Sequence, residues 1–221
     1  MPKAALIEYL MEFVTVNKQQ LFDENIKHRT RHITVALENI FQPHNASAVL
    51  RSCDCFGVQD VHIIENSNEY VLNPGVALGA SKWLTLHKYT EKENNTLDCI
   101  QHLKKQGYKV YATTPHENDC TIDQLPVDNK VALMFGTEKQ GLSDLALENA
   151  DGFVKIPMYG FSESFNISVS AAICLFNVTE RLKQTNVSWE LTEIEKQEVI
   201  LNWIRQAVKR VDLLEQEFHK G

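Results

Sequence analysis

The sequence predicts an α/β domain built on a mostly parallel sheet with helices on both faces, extended by helices at both ends of the chain. Three observations predict it. Short apolar runs recur at 33–37, 61–64, 84–89, 109–113, 130–135 and 152–156, each of strand length. Stretches with apolar residues at helical spacing lie between them. Glycine or proline stands where the patterns change, as at Gly57, Gly107, Gly136 and Pro157. Strands alternating with helices favour parallel pairing, and such sheets bind ligands at the carboxyl ends of their strands.

Residues 1–28 read as helical, because Leu6, Leu10, Phe13 and Val14 recur without strand-like alternation. The run 33–37 suits a strand buried on both faces. A helix follows, with Asn45 as its expected N-cap and Gly57 as its end. Residues 71–81 contain Pro74, Gly75 and Gly79 and read as a loop with a short helix. Leu97, Ile100 and Leu103 mark an amphipathic helix stopped by Gly107. Ser143 is placed to cap a helix after the run 130–135. One of Ser162, Ser164, Asn166 and Ser168 must cap the long helix over 166–182. After a polar break at 184–191, Thr192 and Glu195 form a capping box. Ile200, Trp203, Ile204, Ala207, Val208 and Val211 then give an apolar face that must pack on its own domain or on a partner chain. The expected divisions are 1–28, 29–183 and 184–221.

Composition narrows the function. The net charge of −7 argues against a broad nucleic-acid surface, though not against a local one. Lys27-His28-Arg29-Thr30-Arg31-His32 is the densest basic cluster. It is either a solvated connector or a phosphate-gripping segment, with Lys27, Arg29 and Arg31 as the RNA-binding candidates. Five cysteines without framework spacing point to reduced thiols and a cytoplasmic protein. Cys53-Asp54-Cys55 is too tight for a zinc pair, so no metal is expected. No run approaches the roughly 20 apolar residues that span a bilayer. The N-terminus, with Glu8 and Glu12, does not read as a secretory signal.

Three segments carry chemistry. In the first, Ser47, Arg51 and Asp54 share one helix face and Ala46, Val49, Leu50 and Cys53 another. Arg51 and Asp54 could be a plain ion pair, or the guanidinium could grip a phosphate or oxyanion at the strand ends. In the second, Gly136 and Gly141 have phosphate-loop spacing, but Leu142 stands where a P-loop needs lysine and Glu138 would repel a triphosphate. A glycine-flanked loop with an internal glutamate suits a neutral or cationic ligand; the plain alternative is a strand-to-helix turn. In the third, Pro157 follows a strand and the Ser and Asn cluster could hold a ribose or a base edge. No nucleophile–base pair is evident there.

Together these segments resemble the SpoU-type (SPOUT) RNA 2′-O-methyltransferases, above all those acting on guanosine-18 of tRNA. The likeness runs from about Ile33 to Leu182. It is carried by Asn45-x-Ser47-Ala48-x-x-Arg51, by Phe135-Gly136-x-Glu138-x-x-Gly141-Leu142, and by Ile156-Pro157-Met158 with Ser164-Phe165-Asn166-x-Ser168. The resemblance implies a deep trefoil knot, a homodimer, S-adenosylmethionine as methyl donor and a tRNA substrate. It implies a donor site at Thr113, Gly136, Gly141, Ile156, Met158 and Phe165. Arg51 matches the family's catalytic arginine, and Asn45, Glu138, Ser164 and Asn166 match its polar partners. It also implies that Arg51 of one subunit faces the later motifs of the other. Phe165 stands where leucine is commoner. The competing expectations are a ribosomal RNA ribose as target, disfavoured by the roughly 30 residues before the sheet, or an inactive RNA-binding relative.

Overall fold

The computed structural model describes residues 3–67, 71, 73, 79–92, 94–115 and 119–220. The chain divides into two compact units, residues 31–189 and residues 1–30 with 190–221. The two terminal extensions therefore assemble as one unit.

The larger unit is a seven-stranded, wholly parallel sheet. Its strands are β1 (Ile33–Glu38), β2 (Asp60–Ile64), β3 (Thr85–Tyr89), β4 (Lys109–Thr113), β5 (Cys120–Thr121), β6 (Val131–Phe135) and β7 (Gly152–Lys155). Their order across the sheet is β3-β2-β1-β6-β4-β7-β5. Among the described residues, the helices of this unit are α3 (Pro43–Cys55), α4 (Asn95–Lys105), α5 (Asp144–Asn149) and α6 (Ile167–Lys183), following α1 (Lys3–Met11) and α2 (Val16–Asn25) of the other. The two-residue β5 has no sequence signature, being too short for any periodicity. Of the expected loop with a short helix at 71–81, most lies outside the described residues; Ala80–Lys82 form a 3-10 turn.

Alternation along the strands explains why both faces are covered. Ile33, Val35 and Leu37 of β1 join Val131, Leu133 and Phe135 of β6 against Val49, Leu50 and Cys53 of α3 and Ala171, Leu175 and Val178 of α6. Ala36, Ala132 and Met134 point the other way, onto Cys99, Ile100 and Leu103 of α4 and Ala146 of α5. Each large aliphatic chain so buried contributes about 1.5–3 kcal/mol.

Near the β3 edge the sheet carries a polar cluster. His62 and His87 stack with centroids 4.6 Å apart, and His62 Nδ1 shares a 3.0 Å hydrogen bond with the Tyr89 hydroxyl. Asp60 takes the other side of His87 at 3.0 Å and accepts from Arg31 Nε at 2.8 Å. Burial, reinforced by the neighbouring His87, lowers the His62 pKa from 6.5 to about 3. Burial alone would raise the Asp60 carboxyl, but His87 and Arg31 outweigh it and hold the pKa down. The unfolded chain thus binds a proton at His62 below about pH 6.5 that the folded chain refuses until about pH 3. Stability is full above pH 6.5 and is lost as pH falls through that window. Thermal melts between pH 7.5 and 4.5 should show this decline, and His62→Phe should flatten it.

In the smaller unit, α1, α2 and the 3-10 turn Ile26–His28 meet α7 (Glu193–Ala207) and α8 (Val211–Phe218). Gln19 Nε2 donates to the carbonyls of Met11 (2.9 Å) and Val14 (2.8 Å), satisfying the frayed end of α1. The Thr192–Glu195 capping box forms. The apolar face of α7 packs within its own chain: Trp203 lies 5.4 Å from Phe22, ring to ring. The Arg29 guanidinium sits 5.3 Å from the Trp203 centroid, and Arg29 is only 4% exposed. Arg29 is thus covered within its own unit, and Arg31, which is partly exposed, is ion-paired to Asp60. A run of charges reads as a surface until a tertiary partner covers it, and here an indole does. Lys27 alone of the three candidates is exposed. Arg29→Ala should cost about 1–2 kcal/mol in urea unfolding, through lost packing. No helix among the described residues is long and apolar enough to cross a membrane.

Candidate functional site

Three adjacent parallel strands, β6, β4 and β7, end on the same edge of the sheet. Neighbouring strands lie about 4.8 Å apart, so the segments that follow them converge although they are distant in sequence. Beside β6 lies β1, and α3 after β1 starts at the same edge.

The turn after β6 closes on itself. Thr137 N donates to Gly141 O at 2.9 Å, Gly141 N returns to Thr137 O at 3.0 Å, and Gln140 N donates to Thr137 Oγ1 at 3.1 Å. A Cβ on Gly136 would lie 2.1 Å from the carbonyl carbon and oxygen of Gly141 and 2.3 Å from Leu142 N. Gly141 has φ +69°, the left-handed region. The spacing of the two glycines thus follows from a tight backbone crossing.

Above this edge is a cavity of about 370 Å³, within the roughly 300–1,000 Å³ usual for small-molecule sites. All six residues expected at the donor site, Thr113, Gly136, Gly141, Ile156, Met158 and Phe165, line it. The Thr113 hydroxyl is spent on Met134 O at 2.7 Å, which ties the end of β4 to β6. Glu138 and Ser164 also line the cavity. Glu163, Lys139 and Lys155 do so too, and the sequence reading did not select them. Two glutamates and two lysines balance, so the cavity lacks the excess positive charge that a triphosphate needs. Cys174 at the floor is buried, which pushes its thiol up to about 12 and keeps it neutral.

Asn45 does not cap α3. The N-cap is Gln42, and Pro43 occupies the first helical position, where its missing N–H costs nothing. Asn45 therefore lies inside the first turn, 4% exposed, with its side chain available for other partners. Its Nδ2 donates to Glu138 Oε1, and to Gln42 Oε1 at 3.1 Å. Its Oδ1 accepts from Asn166 Nδ2 at 3.2 Å. Asn166 is the N-cap of α6, accepting from Ser168 N at 2.9 Å. One hydrogen-bonded chain, Glu138–Asn45–Asn166, so joins all three motifs. Arg51 is set apart from it. It is exposed, does not line the cavity of its own chain, and pairs with none of the described residues, Asp54 included.

Comparison with known proteins bears on the same residues. The SpoU rRNA Methylase family profile matches residues 32–176, which include every residue of the site. The chain belongs to the SpoU methylase family. Within that family, a tRNA (guanosine(18)-2'-O)-methyltransferase of Borreliella burgdorferi is 41% identical over 209 residues, 95% of this chain and 94% of the relative. An enzyme of the same name from Thermus thermophilus is 34% identical over 87% of this chain and 98% of its own. The solved structure of the A. aeolicus TrmH/SpoU tRNA modifying enzyme superposes with a TM-score of 0.78 at 26% identity, covering 88% of this chain and 98% of that one. The SpoU likeness therefore extends beyond the sheet domain to nearly the whole chain.

Proposed function

We propose that the protein methylates the ribose 2′-oxygen of guanosine-18 in the D-loop of tRNA, using S-adenosylmethionine, and that it acts in the cytoplasm as a homodimer. The observation that carries this reading is the Glu138–Asn45–Asn166 chain at the rim of a small-molecule cavity. Relatives of that name match across 94% and 98% of their own lengths. The cavity suits the donor: a closed backbone turn that admits no Cβ at Gly136, hydroxyls, and no net positive lining. When bound, the donor supplies an electrophilic methyl group on a sulfonium centre.

The protein's residues then have distinct tasks. The turns around Gly136–Gly141 and Ile156–Phe165 hold the donor and exclude water. Asn45 holds Glu138 and Asn166 in fixed orientation, so that the rim presents polar groups to the ribose. Arg51 cannot act as base, because a guanidinium keeps its proton above about pH 12. Its planar fork suits the phosphate beside the target ribose and the developing alkoxide. The phosphate or a water takes the 2′-hydroxyl proton. Since Arg51 lies outside its own chain's cavity, it serves the site of the partner subunit. The exposed Phe41 (70%), Val169 (44%) and Phe176 (59%) supply apolar surface for such a dimer. The knotted threading implied by the resemblance belongs to the same proposal.

The test is incubation of the purified protein with labelled S-adenosylmethionine and bulk tRNA, followed by nucleoside mapping. Label at the 2′-oxygen of guanosine-18 is expected. Label only at other positions of tRNA, or no transfer to tRNA, would overturn the reading.

A further inference from the structure

The turn at 136–142 is anchored on its entry side by β6, but nothing in the three motifs explains what holds its exit. Glu38 does. We propose that Glu38 is a positioning residue for the donor pocket, acting through Ser143; this rests on the turn being a donor-binding element. Glu38 is the last residue of β1 and is 1% exposed. It lies on the α4–α5 face of the sheet, where its near neighbours Ala36 and Met134 are apolar. A carboxylate is strongly disfavoured in such a place unless its oxygens are satisfied.

They are satisfied from two directions. Glu38 Oε2 accepts from Ser143 N at 2.8 Å, and Oε1 accepts from Ser143 Oγ at 2.7 Å. Oε1 also accepts from Thr96 Oγ1 at 2.5 Å. Each hydroxyl is oriented by an amide behind it: Ala146 N donates to Ser143 Oγ at 3.2 Å, and Asn66 Nδ2 donates to Thr96 Oγ1 at 2.7 Å. Asn66 is itself tied down, its N donating to Asn39 Oδ1 at 2.8 Å and its Oδ1 accepting from Asn95 N at 3.0 Å.

Three donors thus converge on one carboxylate, which supplies only acceptors. Glutamine is a poorer replacement, because its N–H₂ can face the two hydroxyls only if both reverse to accept, and it gives up the charged acceptor that grips Ser143. Ser143 directly follows Leu142, which lines the cavity, whereas Glu38 does not line it. Fixing Ser143 therefore fixes the exit of the turn, and with the Thr137–Gly141 clamp it sets where the backbone meets the donor. An apolar residue would fill the same face but leave the backbone N–H of Ser143 without its acceptor.

The test uses the full-length protein. Glu38→Gln should raise the dissociation constant for S-adenosylmethionine, measured by calorimetry without RNA, by at least about tenfold. The turnover rate at saturating donor should stay within about threefold. In the ligand-free protein, amides of residues 136–146 should exchange at least about tenfold faster while those of β1 and β6 are unchanged. Ser143→Ala should weaken donor binding, Ser143→Thr should retain it, and Glu38→Gln with Ser143→Ala should be no worse than Glu38→Gln alone. Wild-type affinity and exchange in Glu38→Gln would overturn the proposal, as would additive losses in the double variant. If Glu38→Gln fails to fold, the Ser143 pair decides by the same measurements. If the wild-type protein binds no donor, the functional reading fails, and amide exchange alone still decides the role of Glu38.

Discussion

Arg51→Ala is expected to lower methyl transfer by at least about 100-fold, the usual cost of removing one charged donor from a developing oxyanion. Its affinity for S-adenosylmethionine should stay within about threefold, because Arg51 does not line the cavity of its own chain. Arg51→Lys should also be poor, since an ammonium cannot reproduce the two parallel donors of the fork. The geometry supplies a sharper test. If each site takes Arg51 from the partner subunit, mixing Arg51→Ala with Glu138→Ala chains restores one intact site in each mixed dimer. About a quarter of wild-type activity should return. If both groups served the same chain's site, every mixed site would carry one lesion and mixing would restore nothing. Near-normal turnover in Arg51→Ala would reduce this residue to a solvated helix face.

Gly136→Ala should be severely damaging for a single added methyl group. The added carbon would overlap the backbone of Gly141 and Leu142 at 2.1–2.3 Å, and backbone cannot rotate away as a flexible side chain can. Either the Thr137–Gly141 clamp opens or β6 shifts. We expect a loss of about 2–4 kcal/mol, and a fall in Tm of about 5–15 °C. Donor binding should weaken by more than about tenfold by calorimetry. Gly141→Ala is the control: nothing lies within 4 Å of its Cβ, so only the strain of φ +69° applies, about 1–2 kcal/mol. If Gly136→Ala melts and binds like the wild type, the closed turn is not what shapes the pocket.

Much of this architecture is legible locally. The strand 109–113 falls at its expected bounds, and 33–38 and 131–135 lie within one residue of theirs. The caps at Ser143 and Thr192 form as their side chains dictate. Asn45 is instructive because the local rule fails there. Its residue type favours a cap, but Pro43 claims the helix start, and Glu138 and Asn166, far along the chain, use the side chain that is left free. Glu38 carried a signal that motif reading passed over: a charged residue closing a strand buried at every position. Arg29 and Arg31 carried no such signal, because a basic cluster looks the same whether water or an indole covers it.

By itself, then, the chain determined its elements, their caps and the residue types of the pocket, since periodicity, capping and turn chemistry act over a few neighbouring residues. Only the tertiary structure decided which of these meet. The order β1-β6-β4-β7 sets three distant turns and the start of α3 along one edge, and the pairing of the two chain ends buries Arg29 under Trp203. Strand order and long-range packing are chosen by the total burial of the folded chain, and no stretch of sequence holds that sum.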